Sequence, residues 1–214
     1  MDNIRIYEFS FEPLDSKMYI LIENNKALMI DCIPSERAEI LLKESNVNEI
    51  TIILTHEHFD HILGIEMFRE KFNCNCLCSE KCGENIKSSV KNFSRMSEFL
   101  FMDKDTNVEI QPFVSFADDV FSEDFIFNWE NHTIKCKITP GHSEGSICII
   151  FDEKYLFSGD TVVDGYKIIT RFPGGSKKKY KDITLPFLKS LSSNILVFPG
   201  HGNSKELMQF DLSE

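Results

Sequence analysis

Three imidazoles and two carboxylates crowd into the segment Thr55-His56-Glu57-His58-Phe59-Asp60-His61. Directly after the apolar, β-branched run at 50–54, such a cluster is costly to fold unless something uses it. Imidazole and carboxylate together suit zinc or another borderline divalent metal. On an extended or tightly turned segment, His56 and His58 point the same way and can chelate one ion. Asp60 and His61 then face a second ion as the chain turns into a helix near Gly64.

Three further segments repeat a simpler pattern: Thr139-Pro140-Gly141-His142-Ser143, Phe157-Ser158-Gly159-Asp160-Thr161 and Phe198-Pro199-Gly200-His201-Gly202. Each puts one potential ligand on a glycine-containing turn that follows an apolar run. Strand ends gathered at one rim of a sheet are where sites form in layered folds. Five of the six histidines are thereby used. His132, in a hairpin turn at 130–132, reads as a surface residue.

The elements that must position these groups can be read around them. Apolar runs at 4–11, 18–22 and 27–30, separated by the turn-prone Pro13-Leu14-Asp15-Ser16 and Asn24-Asn25, predict a meander of strands. Pro34 predicts a helix start, with Ala38, Leu41, Leu42 and Ser45 on one face. A strand is predicted at 50–54, a helix over 64–72, a cysteine-rich strand and a short helix from about Glu80. Strands are predicted in the second half at 125–129, 133–138, 146–151, 155–157 and 195–198. A late helix puts Tyr180, Ile183, Thr184, Phe187, Leu188 and Leu191 on one stripe, which Pro186 should kink or shorten. Residues 92–122 show no sustained periodicity and predict a loop with short helical pieces.

Length and composition bound the answer. A chain of 214 residues can bury roughly 70% of the surface its unfolded form exposes. The net charge of −11 argues against nucleic acid or anionic membranes as partners and leaves a small molecule as the expected one. There is no apolar run of membrane-span length and no signal-peptide pattern at Met1-Asp2-Asn3-Ile4-Arg5, so a cytoplasmic protein is expected. Oligomeric state is not addressed by the sequence. Seven cysteines, an odd number, read as reduced thiols. Cys74, Cys76 and Cys78 would line one face of a strand, with Cys82 near the next helix, as packed core rather than a metal site. The run Lys177-Lys178-Lys179-Tyr180-Lys181 reads as solvated surface, with reception of an anionic substrate tail as the alternative.

These four ligand-bearing segments, with Asp31 ahead of them as a fifth motif, resemble in this order the metallo-β-lactamase superfamily over essentially the whole chain. The resemblance implies an α/β fold, an αββα sandwich of two mixed sheets flanked by helices, with residues 1–214 as a single domain. It also implies two divalent ions, zinc foremost, with iron or manganese as alternatives. Carried over residue by residue, His56, His58 and His142 would hold one ion and Asp60, His61 and His201 the other, with Asp160 bridging. Asp31, matching the family's first motif, and Thr55 would orient ligands. Two such ions would bring the pKa of a bridging water towards about 7 and polarise a carbonyl or phosphoryl oxygen. Asp60 would be the catalytic residue that positions the hydroxide and carries a proton.

Within the superfamily the chain is most similar to glyoxalase-II-like (hydroxyacylglutathione hydrolase-like) thioester hydrolases. Arg171-Phe172-Pro173-Gly174-Gly175 resembles that group's Gly-Arg-x-Asp-x-Pro-Gly-Gly stretch, although Thr170 replaces the first glycine and the acidic residue is missing. The chain ends soon after His201, short of the helical domain with which glyoxalase II grips glutathione. Hydrolysis of a small thioester is therefore expected, with loops 92–122 and 162–181 setting specificity. A lactonase or phosphodiesterase would share every ligand, and a persulfide dioxygenase would use a single iron and oxygen. Antibiotic-degrading activity is disfavoured by Asp160 at the bridging position. A binding protein with an inert metal site is the reading outside enzymes.

Overall fold

A computed structural model describes residues 4–12, 14–101 and 108–213. The turn residue Pro13 and residues 102–107 of the expected long loop lie outside the described residues. Two six-stranded sheets stack face to face, in the orders β1-β2-β3-β4-β5-β6 and β12-β11-β10-β9-β8-β7. The meander is β1 (Ile6–Phe11), β2 (Ser16–Glu23) and β3 (Lys26–Ile30), all antiparallel. Asn24 and Asn25, with φ of 50° and 63°, close the β2–β3 hairpin in the left-handed conformation that asparagine tolerates and a two-residue hairpin demands.

Beyond β3 the first sheet becomes parallel through β4 (Glu49–Ile53), β5 (Asn73–Ser79) and β6 (Asp119–Phe121). Parallel neighbours need crossovers. These are α1 (Glu36–Glu44), α2 (Phe59–Ile62) with α3 (Ile65–Arg69), and α4 (Glu80–Asn85) with α5 (Ser97–Phe101). α1 begins two residues after Pro34, because Ser35 caps it by accepting from the Ala38 N–H at 3.2 Å. The helix expected over 64–72 is shorter, ending at Arg69.

The second sheet runs antiparallel through β7 (Phe125–Trp129), β8 (His132–Ile138), β9 (Ile147–Phe151) and β10 (Tyr155–Gly159). β11 (Leu196–Pro199) pairs parallel to β10, and β12 (Lys205–Glu206) closes the edge. The late helix is α6 (Lys177–Lys179) and α7 (Leu185–Ser190), joined by a π-helical turn over Tyr180–Thr184. Pro186 sits in the first turn of α7, where its missing N–H costs little, and the widened turn before it replaces the expected kink.

Alternation along the strands explains the layers. Leu28, Ile30, Ile53, Ile149 and Phe157 point between the sheets, with Tyr19, Leu21 and Trp129. Met29, Ile52, Cys76 and Cys78 face the helices of the first sheet, with Leu42, Phe68 and Cys82. Ile150, Leu156 and Val197 face α7 through Leu188. Strands covered on both faces need apolar residues at every position, so they read as continuous runs. The two sheets are the mixed sheets, flanked by helices, that the sequence predicts.

His132 is not the surface residue expected. Its ring lies 4.6 Å from that of Phe151, its Nδ1 is 2.6 Å from Asp152 Oδ2 and its Nε2 is 3.1 Å from Glu23 Oε2. Glu23 belongs to β2, so this histidine ties one sheet to the other, far from the remaining five. A turn position in sequence carries no sign of that cross-sheet partner.

Candidate metal centre

Five strand ends converge on one rim: β3 delivers Asp31, β4 delivers residues 55–61, β8 leads to His142, β10 to Asp160 and β11 to His201. The sheets are laced together beneath them. Tyr19 Oη donates to the Pro199 carbonyl at 2.7 Å, the Ile147 N–H to the Thr55 carbonyl at 2.8 Å, and the Lys17 N–H to the Gly200 carbonyl at 2.8 Å. All seven residues singled out as ligand types meet in the resulting cup. His56, His58, His142 and Asp160 form one group and Asp60, His61 and His201 another, with the ligand atoms in each within 4.8 Å of one another.

The turns that bring them together leave no room for side chains. At Gly159, with φ of +49°, a Cβ would stand 2.4 Å from Thr55 Oγ1. At Gly200 it would stand 2.2 Å from Asp160 Oδ1. Both turns need glycine because backbone passes directly against the groups of the cup.

Hydrogen bonds fix which nitrogen of each imidazole faces inward. His142 Nδ1 is 3.0 Å from the Ile169 carbonyl and His201 Nδ1 is 3.0 Å from the Leu14 carbonyl. Carbonyls only accept, so both Nδ1 atoms carry hydrogen. His61 Nδ1 likewise donates to Asp31 Oδ2 at 2.9 Å. Thr55 Oγ1 spends its hydrogen on Asp31 Oδ2 at 2.8 Å and is left to accept from His56 Nδ1 at 3.0 Å. Asp31 also accepts from the Thr55 N–H at 2.7 Å. Four imidazoles thus commit Nδ1 to partners behind them and aim Nε2 into the cup. The Nε2 atoms of His61 and His201 face each other at 3.3 Å, an arrangement that needs a proton or a cation between them.

The spacing fits a metal. Ligands at 2.0–2.1 Å in a tetrahedron lie roughly 3.3 Å apart. Nε2 of His142 is 3.4 Å from Asp160 Oδ2 and 3.0 Å from His58 Nδ1. His61 and His201 each stand 3.4 Å from an Asp160 oxygen. His201 Nε2 is 3.5 Å from Asp60 Oδ2, with His61 Nε2 at 3.7 Å. His56 Nε2 and Asp160 Oδ1 are buried without a hydrogen-bond partner, which is expensive unless another group completes them.

Protonation follows the same division. Burial and the surrounding imidazoles push His56 and His58 well below the ordinary imidazole value, and burial also lowers His142. Burial opposes protonation of His61 too, but the carboxylates of Asp60, Asp160 and Asp31 outweigh it and hold that ring well above the ordinary value. His201 is raised against burial by Asp160 and Asp60. Asp160 stays well below the usual carboxylate range, because His201, His61 and His142 together overcome its burial.

Several contributors were invisible in the sequence. Glu57, flanked by two candidate ligands, points away from the cup. Its buried carboxyl accepts from Asn85 Nδ2 at 2.9 Å and Ser143 Oγ at 2.8 Å, tying the 55–61 segment to the turn after His142, and burial raises its pKa. The carbonyls of Leu14 and Ile169 orient two imidazoles and leave no side-chain signal at all. Phe93 lies with its ring 4.6 Å from His58, and Phe172 stands 6.1 Å from His142. Both belong to the loops at 92–122 and 162–181 expected to shape the pocket. The cysteines pack as expected, Cys76, Cys78 and Cys82 buried and Cys74 partly so. The lysines of α6 are exposed, and Lys178 pairs with Asp182.

A two-sheet sandwich carrying a cup of five imidazoles and two aspartates at one rim defines a metallo-hydrolase class. The sequence profile of the metallo-beta-lactamase superfamily matches residues 12–201, and the chain belongs to that family. It is 26% identical over 200 residues to "Probable metallo-hydrolase YqgX" of Bacillus subtilis (strain 168), covering 92% of this chain and 89% of that protein. It is 27% identical to the hydroxyacylglutathione hydrolase of Klebsiella pneumoniae (strain ATCC 700721 / MGH 78578), covering 93% of this chain but only 66% of that enzyme. Among solved structures, that of the BLEG-1 B3 metallo-beta-lactamase superposes with a TM-score of 0.77 at 25% identity, over 96% of this chain and 95% of the other.

Proposed function

We propose that this protein is a hydrolase with a dinuclear metal centre that cleaves small thioesters. The observation that carries the metal reading is the convergence of seven imidazole and carboxylate groups at ligand spacing, with His56 Nε2 and Asp160 Oδ1 buried and left without a hydrogen-bond partner. His56, His58 and His142 would hold one ion, Asp60, His61 and His201 the other, with Asp160 between them. Bound divalent ions supply hydroxide at neutral pH and Lewis-acid polarisation of a carbonyl. The chain's own groups do the positioning. Asp31 and Thr55 lock the tautomers of His61 and His56, so no reorganisation is needed at the moment of reaction. Asp60, which lines the cleft, would orient the attacking hydroxide and carry its proton to the leaving group.

Thioester is preferred to lactone and phosphodiester on three grounds. The hydroxyacylglutathione hydrolase of Klebsiella supports it through sequence likeness, and a thiolate is a weaker base than an alkoxide and leaves more readily. The net charge of −11 disfavours a phosphodiester. Seven unpaired cysteines support a reducing, cytoplasmic setting. Metal content is measured first, with two equivalents of zinc, iron or manganese per chain expected. Matched thioester, lactone and phosphodiester panels then test the reaction. One iron and no second metal, or a specificity constant tenfold higher on a phosphodiester (about 1.4 kcal/mol), would overturn the proposal.

A further inference from the structure

The cup opens into a cleft of roughly 710 Å³, within the usual range of small-molecule sites and far larger than a reacting acyl carbon needs. His58, Asp60, His142, Asp160 and His201 of the cup form part of its lining. Apart from Asp15 and Asp164, the remaining wall is largely apolar, with Phe93, Met96 and Phe99 from one segment and Tyr166, Ile169 and Phe172 from another. Phe99 is 71% exposed and Tyr166 74%, so two large rings stand in solvent at the mouth. Apolar surface left exposed around a concavity marks a ligand groove.

Phe93 shows that this wall is held in place. It has φ of 64°, a left-handed conformation that strains a bulky residue and persists only where the surroundings enforce it. Buried Asn92 does so. Its amide donates to the Phe113 carbonyl at 2.9 Å, its side-chain oxygen accepts from the Ser94 N–H at 2.9 Å, and its carbonyl accepts from the Phe59 N–H at 2.8 Å. The ring is thereby set between His58 and, at 5.9 Å, Phe172.

Charge points the same way. The carboxylates lining the cleft are Asp15, Asp60, Asp160 and Asp164, and the described lining includes no lysine or arginine. The lysines that reach the two outer carboxylates are already engaged. Lys17 pairs with Asp15 at 2.8 Å and Glu8 at 3.1 Å, and Lys205 pairs with Asp164. A glutathione arm, with two carboxylates against one ammonium, would find no lysine or arginine in the described lining to receive its carboxylates.

We infer that the cleft selects a neutral thioester with an extended apolar arm and discriminates against glutathione conjugates. This rests on the thioester reading above, and thioether mimics, which cannot be hydrolysed, separate the two. Binding of S-octyl-N-acetylcysteamine, S-methyl-N-acetylcysteamine and S-octylglutathione to the metal-loaded protein is measured by titration calorimetry. The first should bind at least about tenfold tighter than either other compound, with up to about fourfold per buried methylene (about 0.8 kcal/mol) and a negative heat-capacity change. Phe99→Lys and Tyr166→Lys, at exposed rim positions, should shrink the preference over S-octylglutathione. Equal or tighter binding of S-octylglutathione, or affinity indifferent to chain length, would overturn the inference. Turnover of the corresponding thioesters is scored separately. If the mimics bind as expected but no thioester is cleaved, the hydrolase proposal fails and the cleft's selectivity stands. If thioesters are cleaved with glutathione conjugates preferred, the reverse holds.

Discussion

The cup and the wall of the cleft are neighbours built on opposite terms. The cup is polar and mostly buried, and the inward nitrogens of His56, His61, His142 and His201 are each set by a hydrogen bond behind the ring, from Asp31, Thr55 or a backbone carbonyl. Its groups sit on turns that end sheet strands. The wall is largely apolar and rises into solvent on loops and the short helix α5, with Asn92 as the best-defined anchor. Chemistry needs positions held within a fraction of an ångström, whereas apolar recognition needs area and shape. The difference predicts that damage to the cup abolishes turnover and damage to the wall redirects it.

The largest effect is expected from Asp160→Ala, which removes the carboxylate proposed to lie between the two ions and 3.4 Å from His61, His142 and His201. Activity should fall about 10³-fold, the upper end for losing one preorganised electrostatic group, with bound metal reduced and the far-UV spectrum unchanged. Wild-type turnover and occupancy in this variant would remove Asp160 from the centre. Asp31→Asn probes the layer behind. Asp31 has φ of 59°, which asparagine also tolerates, so the change isolates charge and acceptor capacity from backbone strain. A loss of about 10–100-fold in metal affinity is expected, read by competition with a chelator. An affinity equal to wild type would show that the tautomers of His61 and His56 are set without it.

On the wall, Phe172→Ala should raise KM roughly tenfold, in line with removing a large part of an aromatic burial, while leaving metal content at the wild-type level. Loss of metal in that variant would break the distinction between the two regions. The smallest effect on activity belongs to the cysteines, most of which lie in the strands, such as Cys74 in β5, Cys136 in β8 and Cys148 in β9. Burial pushes Cys74 up to about 11 and Cys136 and Cys148 to about 12, from an ordinary value of 9.0. Thiols raised in the folded state support it fully below 9.0 and withdraw that support as pH climbs through 11 to 12. Alkaline unfolding should therefore steepen across that window, and thiol reagents at pH 8 should modify the native protein slowly. Rapid labelling of several cysteines at pH 8 would contradict the packing described.

Cup and wall also differ in how far the sequence discloses them. Seven histidines and aspartates on strand-ending turns stand out because each would be expensive to place there without a use. The strands were readable for a related reason: stretches such as 27–30 and 147–151 are buried on both faces and must be apolar throughout. Phe93, Met96, Phe99 and Phe172 look in sequence like any other core residues, and only the folded chain shows them turned towards a cleft. Glu57 failed in the opposite sense. It shares the ligand-rich segment, yet its partners Asn85 and Ser143 lie on distant elements that no local pattern connects. Pro186 broke a local rule because a π-helical turn, which has no signature in residue spacing, absorbed it.

The glycines at 159 and 200 have a consequence for how this scaffold could change its occupation. With Cβ positions 2.4 Å from Thr55 and 2.2 Å from Asp160, neither site admits even alanine without displacing the groups beside it. Variation that reaches those turns is discarded before any new activity can be sampled. Phe99 and Tyr166, facing water, carry no such veto, and substitutions there survive to be tested against new substrates. Diversity introduced at the rim, in a laboratory library or along a lineage, would therefore alter which molecules are accepted long before it altered the reaction done to them.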